Sequence, residues 1–288
     1  MKIAIIGKDS YIGNAIDNYL SDKYSHKVDQ FDVQHNPVDT FDFSSYEAII
    51  HVAAIVHRTD IQDYSVYRKV NVELPVMIAQ KARSQGVKHM IFLSSMSVFG
   101  KHKSIVQWQI DGSEELNPYT LYGKSKLEAE QELTKIQDDS FIVSIIRPPS
   151  VYGRGCKGNL FSKYYALANK LIFIPNASSQ VKQGVLHIDN LCLCVRKLID
   201  NPINGVLHPQ DSELLSTGEM LSAIRMIQGK KNICSKLLGK IASVFRFVPL
   251  YKKLYGAATY TEKLVNSNLV IDGFISTKEG LKRTFEKK

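Results

Sequence analysis

The N-terminal segment places the strongest constraint on the fold, because a short buried strand turns directly into a helix. Lys2 to Gly7 is an apolar run that ends in glycine, which is typical of a buried parallel strand. Side chains with helical spacing follow at Tyr11, Ile12, Ala15, Ile16, Tyr19 and Leu20. Parallel strands need long crossover connections, which are usually helices, so this start predicts a strand–helix–strand unit.

The same alternation continues through the first half of the chain. Further strands are predicted at Val28–Asp32, Ala48–Ala54, Met90–Ser95 and Phe141–Ile146. Helices are predicted over residues 66–85, with a kink near Pro75, and from Tyr122 to about residue 137. Strands that alternate with helices predict an α/β fold with a doubly wound, Rossmann-like parallel sheet.

The loop between the first strand and the first helix predicts a dinucleotide site. It runs from Gly7 through Ser10, Tyr11 and Ile12 to Gly13. Backbone N–H groups at a helix N-terminus bind phosphate, and glycines let the pyrophosphate approach the backbone. The outer two glycines of this motif are present, whereas Ser10 replaces the middle one.

Asp32 ends the second predicted strand and indicates which dinucleotide is bound. A carboxylate at this position accepts hydrogen bonds from the adenosine ribose and repels a 2′-phosphate. We therefore expect NAD, with NADP the less favoured cofactor. The alternation weakens after Pro148, so we expect a dinucleotide-binding domain over residues 1–150, with a return at 184–205, and a smaller substrate-binding lobe over 151–288.

Composition excludes several classes of protein. The chain is 44% hydrophobic and 23% charged, as in ordinary globular proteins. No run approaches the roughly 18 apolar residues of a membrane span, and the N-terminal apolar run is too short for a signal peptide. The four cysteines lack zinc-ligand spacing and suggest no disulfide framework. We expect a cytoplasmic protein without a metal site.

The net charge of +9 is concentrated in one interval. Between Glu219 and Glu262 there are eight Lys and Arg residues and no acidic residue. Within it, residues 230–256 mix these cations with aliphatic and aromatic side chains. They could make weak contact with an anionic membrane surface, form the wall of a diphosphate site, or be a solvated face. No nucleic-acid-binding motif accompanies the charge, so nucleic acid is not an expected partner.

Tyr122 and Lys126 are the residues that indicate acid–base catalysis. Four positions apart on a helix, they share one face, so a phenol and an ammonium can meet. A fixed positive charge lowers the pKa of a phenol, which would make Tyr122 a general acid or base for a sugar or alcohol hydroxyl. The spacing alone occurs by chance in many proteins.

With these segments in order, the chain resembles the extended short-chain dehydrogenase/reductase family, the NAD-dependent nucleotide-sugar epimerases and dehydratases. The resemblance covers most of the chain and rests on its glycine loop and on several later motifs. These are Ile50-His51-Val52-Ala53-Ala54, Asn71-Val72, Leu93-Ser94-Ser95-Met96-Ser97-Val98-Phe99-Gly100, Tyr122 to Lys126, Arg147-Pro148-Pro149-Ser150-Val151-Tyr152-Gly153, His187 to Leu191, and Glu279 to Thr284.

The resemblance implies a catalytic set of Ser95, Tyr122 and Lys126. Ser95 would hydrogen-bond the reacting oxygen of the sugar, while Tyr122 exchanges its proton. Lys126 would hold the nicotinamide ribose and lower the pKa of Tyr122. Cofactor contacts are implied for the loop residues, Tyr122 and Lys126, and for Ala53, Ala54, Asn71 and Pro149. For Asn71, a simple helix cap is an alternative role.

Departures from the family pattern narrow the expected reaction. The Asp-Glu pair of the 4,6-dehydratases is replaced by Met96 and Ser97, so water elimination has no evident acid and base. In the predicted substrate pocket, Ser150 stands where the family usually has Asn, and Gln183 where it has a diphosphate-binding Arg. Asn159 matches a substrate-contacting position and could equally be a turn residue. Ser95 and Tyr122 complete the predicted substrate contacts.

These residues favour an NAD-dependent UDP-sugar 4-epimerase that transfers hydride reversibly at C4. The alternative is a UDP-4-keto-6-deoxy-sugar 4-ketoreductase for surface-polysaccharide biosynthesis, which would use the same Ser, Tyr and Lys. A non-catalytic dinucleotide-binding sensor is a more remote alternative, since it would not need that set intact. The family also implies a homodimer, formed through the helix near 66–85 and the Tyr122 helix.

Overall fold

Six parallel strands form the central sheet, and helices cover both of its faces. The computed structural model describes residues 1–56, 58, 60–100, 107–156, 160–175, 180–231, 233–244 and 257–286. In chain order the strands are β1 (Lys2–Ile6), β2 (Lys27–Phe31), β3 (Ala48–His51), β4 (His89–Leu93), β5 (Gln107–Ile110), β6 (Ile142–Ile146), β7 (Ser150–Tyr152), β8 (Phe173–Pro175), β9 (Val185–His187), β10 (Gly205–Leu207), β11 (Ile233–Ser235) and β12 (Ala257–Tyr260).

The helices alternate with these strands. They are α1 (Tyr11–Tyr24), α2 (Tyr64–Arg68), α3 (Leu74–Ser84), α4 (Leu121–Ile136), α5 (Leu160–Lys170), α6 (Ile188–Asp200), α7 (Thr217–Ile227), α8 (Lys236–Val244), α9 (Glu262–Val265) and α10 (Thr277–Phe285). A π-helical turn at Lys69–Glu73 joins α2 to α3, and 3-10 turns lie at Val38–Thr40 and Met96–Phe99.

The order of the sheet is β10–β6–β4–β3–β1–β2, with all pairs parallel. From β1 the chain passes to β2 on one side and then to β3 on the other, so the strand order reverses at β1. Doubly wound sheets bind their ligands beyond the carboxyl ends of the strands at such a point. The predicted fold class is therefore confirmed.

The side chains of alternate residues of β1 pack into two separate cores. Ile3 and Ile5 pack on one face, in a cluster that includes residues of α1 and α6. Ala4 and Ile6 pack on the other face, in a cluster that includes residues of α3 and α4. All four side chains are fully buried, and each buried Ile is worth roughly 1.5–3 kcal/mol. The all-apolar sequence of β1 thus fits a strand that is covered on both sides.

Two predicted elements differ from the observed ones. The third strand ends at His51 rather than Ala54, because the N–H groups of Val52 and Ala53 both turn to the Ile6 carbonyl. The helix predicted over 66–85 runs from Tyr64 to Ser84 and contains the π-helical turn ahead of Pro75. Proline offers no N–H and crowds the preceding turn, and a π-turn accommodates this without ending the helix.

Three two-stranded parallel pairs lie outside the main sheet: β7 with β9, β8 with β11, and β5, which precedes β6, with β12. A third core, which includes Tyr152 stacked on Phe161, joins residues of α5, α7 and α10. β10 returns to the main sheet, and α6 packs against α1. The division into residues 1–150 and 151–288 stays a prediction.

Within the described part of the chain, no helix is long and apolar enough to cross a membrane. Of the basic segment 230–256, residues 232 and 245–256 lie outside the described residues.

Candidate active site

The loop after β1 is shaped by Gly7. Its φ angle is +124°, a conformation that residues with a Cβ rarely adopt. A Cβ here would also lie 3.0 Å from the Ala53 nitrogen and from a methyl group of Val52. The N–H groups of Gly7 and Lys8 both donate to the Phe31 carbonyl at 3.1 Å. These contacts place the loop between Asp32 and Ala53, which are both predicted cofactor residues.

Ser10 has a defined structural role in the motif where it replaces glycine. It is the N-cap of α1, and its hydroxyl oxygen accepts from the Gly13 N–H at 3.1 Å. The same hydroxyl donates to the Gly7 carbonyl at 2.7 Å. A Cβ on Gly13 would lie only 2.6 Å from the Ser10 oxygen. The hydroxyl therefore joins the two outer glycines of the loop.

Tyr11 and Ile12 occupy the first turn of α1, where backbone N–H groups have no partner inside the helix. Such N–H groups and the helix dipole favour a bound phosphate. The Tyr11 hydroxyl is buried and has no hydrogen-bond partner among the described residues, and burial raises its pKa. The turn of Gly7, the start of α1 and Asp32 fit a dinucleotide.

Asp32 follows β2 and lies at the edge of this loop. One carboxylate oxygen accepts from the Gln34 N–H at 2.9 Å, and the other lies 2.7 Å from Nδ1 of His35. The hydrogen bond with His35 is the main cause that lowers the pKa of Asp32, so this carboxylate is ionised at neutral pH. A charged acceptor here agrees with the predicted ribose contact.

Ser95 and Tyr122 meet at the carboxyl end of β4. Ser95 comes two residues after the strand, and its hydroxyl accepts from the Ser97 N–H at 3.1 Å. The Tyr122 side chain comes from the first turn of α4 and is 8% exposed, and the Ser95 hydroxyl is close enough to act to lower its pKa. The structure thus brings together a hydroxyl and a phenol at the sheet edge where ligands are expected.

Lys126 lies one turn further along α4 and is 1% exposed. Its ammonium donates to the Leu93 carbonyl at 2.8 Å and lies 4.5 Å from the centre of the Phe92 ring. The centre of the Tyr122 ring is 6.0 Å away. Burial lowers the pKa of Lys126 to about 7, although the Glu130 carboxylate favours its charged form.

The expected effect of Lys126 on Tyr122 is not what the structure shows. Burial raises the pKa of Tyr122 to about 12, and only the hydrogen bond with Ser95 acts to lower it. Two physical causes explain the difference. Desolvation of the phenolate outweighs the hydrogen bond, and the same burial removes part of the positive charge of Lys126 near neutral pH.

Gly123 explains how Tyr122 reaches Ser95. Thr120 caps α4 by accepting from the Gly123 N–H at 2.9 Å, which fixes where the helix begins. A Cβ on Gly123 would lie 2.7 Å from the Ser97 carbonyl oxygen, within the turn that follows Ser95. The helix and the turn can approach this closely only because residue 123 has no side chain.

Asn71 is not a helix cap, since it lies in the middle of the π-helical turn. Its fully buried amide donates to the Ile55 carbonyl at 3.0 Å and accepts from the Ile55 N–H at 2.8 Å. It also donates to the Ser125 hydroxyl at 2.9 Å, and Ser125 in turn donates to the Tyr122 carbonyl at 2.8 Å. Asn71 therefore ties the loop after β3, which carries Ala53 and Ala54, to the helix of Tyr122.

A buried charge pair beneath the site was missed by the sequence analysis. Arg147 grips the Glu130 carboxylate with two nitrogens, Nε at 3.0 Å from Oε1 and Nη2 at 2.6 Å from Oε2. Ser94 donates to the same carboxylate, and Tyr260 donates to the Arg147 carbonyl at 2.8 Å. Glu130 lies four residues after Lys126 on α4, and this spacing was the signal that could have identified it.

The predicted substrate residues are less closely grouped. Ser150 is exposed at the start of β7, and the predicted cofactor residue Pro149 is buried just before it. Gln183 is 6% exposed and donates to the Thr217 hydroxyl at 3.1 Å, so its amide is engaged with α7. Asn159 lies outside the described residues. The substrate contacts of all three stay predictions.

Among the described residues, Lys182 is the cation next to Gln183 in sequence, and Gln183 holds the position where the family has a diphosphate-binding arginine. Lys182 pairs with Glu219 at 2.7 Å, on the exposed surface. Among the described residues, no group of three or more His, Cys, Asp or Glu side chains could hold a metal ion.

Comparison with known proteins identifies the family. Residues 3–172 match the model of the NAD dependent epimerase/dehydratase family. The chain belongs to this family. Its NAD dependence agrees with the cofactor predicted from the loop and Asp32, and the resemblance inferred from the motifs is confirmed.

Two relatives and one solved structure are informative. The chain is 34% identical over 207 residues to a UDP-glucose 4-epimerase of Vibrio cholerae, which covers 67% of this chain and 62% of that protein. It is 25% identical over 193 residues to an N-acetyl-alpha-D-glucosaminyl-diphospho-ditrans,octacis-undecaprenol 4-epimerase of Escherichia coli O157:H7, which covers 65% of this chain and 56% of that protein. The matches span less than two thirds of either relative's length.

The structural comparison supports the same fold. A crystal structure of UDP-glucuronic acid 4-epimerase from Bacillus cereus in complex with NAD aligns with a TM-score of 0.74 and 16% sequence identity. The alignment covers 99% of this chain and 95% of that chain. At this identity the likeness shows a shared fold.

We expect Gly123→Ala to lower kcat/KM by about a hundredfold, because the new methyl would push α4 away from the Ser97 carbonyl and displace Tyr122. Alanine favours helix over glycine, and this preference partly offsets the steric cost of the new methyl. We therefore expect the loss of activity to be larger than any loss of stability would explain. Steady-state kinetics and urea denaturation measure both effects. Lys124→Ala, at the exposed neighbouring position, is the matched control and should keep its activity. Full activity in Gly123→Ala would refute the role of this close approach.

Ser10 gives a second prediction, on stability and cofactor affinity. Ser10→Ala should lower the free energy of unfolding by about 1 kcal/mol and weaken NAD binding, because α1 loses its cap and the loop loses both hydroxyl bonds. Ser10→Gly should cost only a few tenths of a kcal/mol. Urea denaturation and calorimetric titration with NAD would compare the two variants. Unchanged stability and NAD affinity in Ser10→Ala would show that the hydroxyl has no such role.

Glu130 gives a prediction on pH dependence. Glu130→Gln removes the charge that favours protonated Lys126, so the pKa of Lys126 should fall from about 7 to a lower value. If turnover needs the ammonium, the alkaline limb of the kcat/KM profile should move to lower pH. Arg147 would then be buried without its partner, which costs about 3–5 kcal/mol. The double variant Glu130→Gln/Arg147→Met avoids that cost and should show the same shift. An unchanged profile in both variants would contradict the role of Glu130.

Proposed function

We propose that the chain is an NAD-dependent UDP-sugar 4-epimerase. The observation that carries the proposal is the approach of Ser95 and Tyr122 at the carboxyl edge of the sheet, one helical turn from the buried Lys126. The family and the named activity of the Vibrio cholerae relative support the same reaction. Met96 and Ser97, which replace the acid and base of the dehydratases, argue against water elimination.

The residues of the site have separate tasks in this reaction. Ser95 donates a hydrogen bond to the sugar oxygen at C4, and Tyr122 takes the proton of that hydroxyl as the C4 hydrogen leaves as hydride. When bound, oxidised NAD accepts and returns the hydride, and its positive ring favours the phenolate form of Tyr122. Proton return from Tyr122 completes the reverse step. If the 4-keto sugar presents its other face before that step, the configuration at C4 is inverted.

The position of Lys126 suggests how its charge contributes. Its ammonium is fixed by the Leu93 carbonyl at the end of β4, one turn below Tyr122. Held there, Lys126 can favour the phenolate only in its charged form, which burial disfavours and the Glu130 carboxylate favours. We assign Lys126 to ribose binding as well, as the family resemblance implies.

A second candidate substrate is a sugar carried on a polyprenyl diphosphate. The Escherichia coli relative is named for that class of substrate. Both substrate classes present a sugar joined to a diphosphate, and the chemistry at C4 is the same. The family's homodimer stays a prediction for this chain.

Product analysis tests the proposed reaction. Purified protein would be incubated with NAD and a panel of UDP-sugars, together with a detergent-solubilised polyprenyl-diphosphate sugar, and the C4 epimers would be separated by chromatography. We expect epimerisation of a UDP-sugar without net consumption of cofactor. Stoichiometric use of NADH with a 4-keto sugar would instead indicate the 4-ketoreductase alternative. No conversion of any substrate would reject the proposal.

Tyr122→Phe is the control for the proton transfer. It keeps the ring and its packing but removes the hydroxyl that meets Ser95. We expect turnover to fall by at least about a hundredfold, within the usual range for general acid–base catalysis, while NAD affinity changes little. Unchanged turnover would rule out the assigned role of Tyr122.

A further inference from the structure

In the predicted substrate lobe, exposed apolar side chains lie on and beside β8, α7 and α8. Thirteen large apolar side chains are exposed among the described residues, and six of them belong to neighbouring elements of this lobe. We call these six the apolar patch: Ile172, Phe173, Met226, Leu237, Ile241 and Val244. β8 and β11 pair, and α7 and α8 both contact β8, so the elements that carry the patch adjoin one another.

Helix α8 carries three of the six side chains of the patch. Leu237, Ile241 and Val244 are 68%, 50% and 72% exposed. Their spacing of four and then three residues places them on one face of the helix. Solvated helices rarely keep three aliphatic side chains on their outer face, and exposed apolar patches of this kind mark contacts with proteins or membranes.

The stretches of sequence that carry the patch contain basic residues and no acidic residue. Two stretches of the chain, residues 140–188 and 220–261, contain no acidic residue, and they supply α5, β8, β11, α8 and most of α7. They contain six and eight Lys and Arg residues respectively. Exposed ammonium groups lie close to the patch in sequence, at Lys170, Lys230, Lys231 and Lys240.

This combination selects one kind of partner. We infer that the apolar patch docks on the anionic surface of a phospholipid bilayer, with its aliphatic side chains in the interface and the lysines at the headgroups. Apolar area and basic residues on one amphipathic surface are what interfacial binding requires, since the lysines are attracted to the anionic headgroups. A second copy of the chain fits less well, because a two-fold contact would set these lysines against their own copies.

The geometry of α7 relates this surface to the predicted substrate site. Thr217, at the start of α7, contacts Gln183, whereas Met226 lies at the far end of the helix in the patch. The helix rises 1.5 Å per residue, so the two ends are about 14 Å apart. Docking through the patch would therefore engage the far end of α7 and leave its Gln183 end outside the contact. The inference does not depend on which sugar carrier is the substrate.

Vesicle sedimentation of the full-length protein tests the inference. Vesicles of phosphatidylcholine alone would be compared with vesicles that also contain phosphatidylglycerol, at low and at high salt. We expect binding to the anionic vesicles, reduced by salt because the lysines are screened. The triple variant Leu237→Ser/Ile241→Ser/Val244→Ser should lower the bound fraction by roughly tenfold or more, since it removes the apolar contact.

Matched variants keep the outcome clear. Met77→Ser/Val270→Ser removes two exposed apolar side chains outside the patch, 47% and 61% exposed, and should bind like the unmodified protein. Lys230→Gln/Lys231→Gln should weaken only the preference for anionic lipid. Should the triple variant fail to fold by circular dichroism, the single variant Ile241→Ser replaces it.

Three results would overturn the inference. They are failure of the unmodified protein to bind anionic vesicles at low salt, equal binding by the folded patch variant, and a loss of oligomer mass in that variant while the unmodified protein shows no vesicle binding. The last would identify the patch as a contact between copies. Turnover of a UDP-sugar is measured in parallel, so failure of docking and failure of the proposed activity are distinguished.

Discussion

The burial of the Lys126 ammonium against the end of β4 is the constraint on which the candidate site depends. A charged group with 1% exposure must be hydrogen-bonded and electrostatically supported. The Leu93 carbonyl supplies the hydrogen bond, and Glu130 supplies the opposite charge. Glu130 is itself held by Arg147 and Ser94, so the helix of Tyr122, the end of β4 and the end of β6 are fixed relative to one another.

The buried charges lower the stability of the fold, and in return they position Tyr122. Buried ion pairs seldom add net stability, because desolvation offsets their attraction. Here the charges set the register between α4 and the sheet, so that Tyr122 reaches Ser95. The burial that provides this positioning also raises the pKa of Tyr122 to about 12. The protein alone therefore holds the phenol protonated, and the positive charge of the oxidised cofactor is the missing contribution that favours the phenolate.

Sequence patterns predicted much of this architecture, for reasons that can be traced to particular residues. The apolar run of β1, the loop from Gly7 to Gly13 and Asp32 follow local rules, and these residues lie where those rules place them. The meeting of Ser95 and Tyr122 came from the family motif and agrees with the structure. The contact of Gln183 with Thr217 and the pairing of Glu130 with Arg147 depend on long-range packing, which no local pattern records. The pKa of Tyr122 was predicted to be lowered and is instead raised, for the same reason, since burial is a property of the folded chain.

The hydroxyl of Ser10 has a consequence for how the cofactor is received. By bonding to both Gly7 and Gly13, it holds the loop in one conformation without any ligand. A flexible glycine loop loses conformational entropy when a dinucleotide orders it, and that loss is subtracted from the affinity. In the proposed cofactor site, the two hydrogen bonds of Ser10 supply part of this ordering from within the chain, which would lower the entropy lost on binding the pyrophosphate.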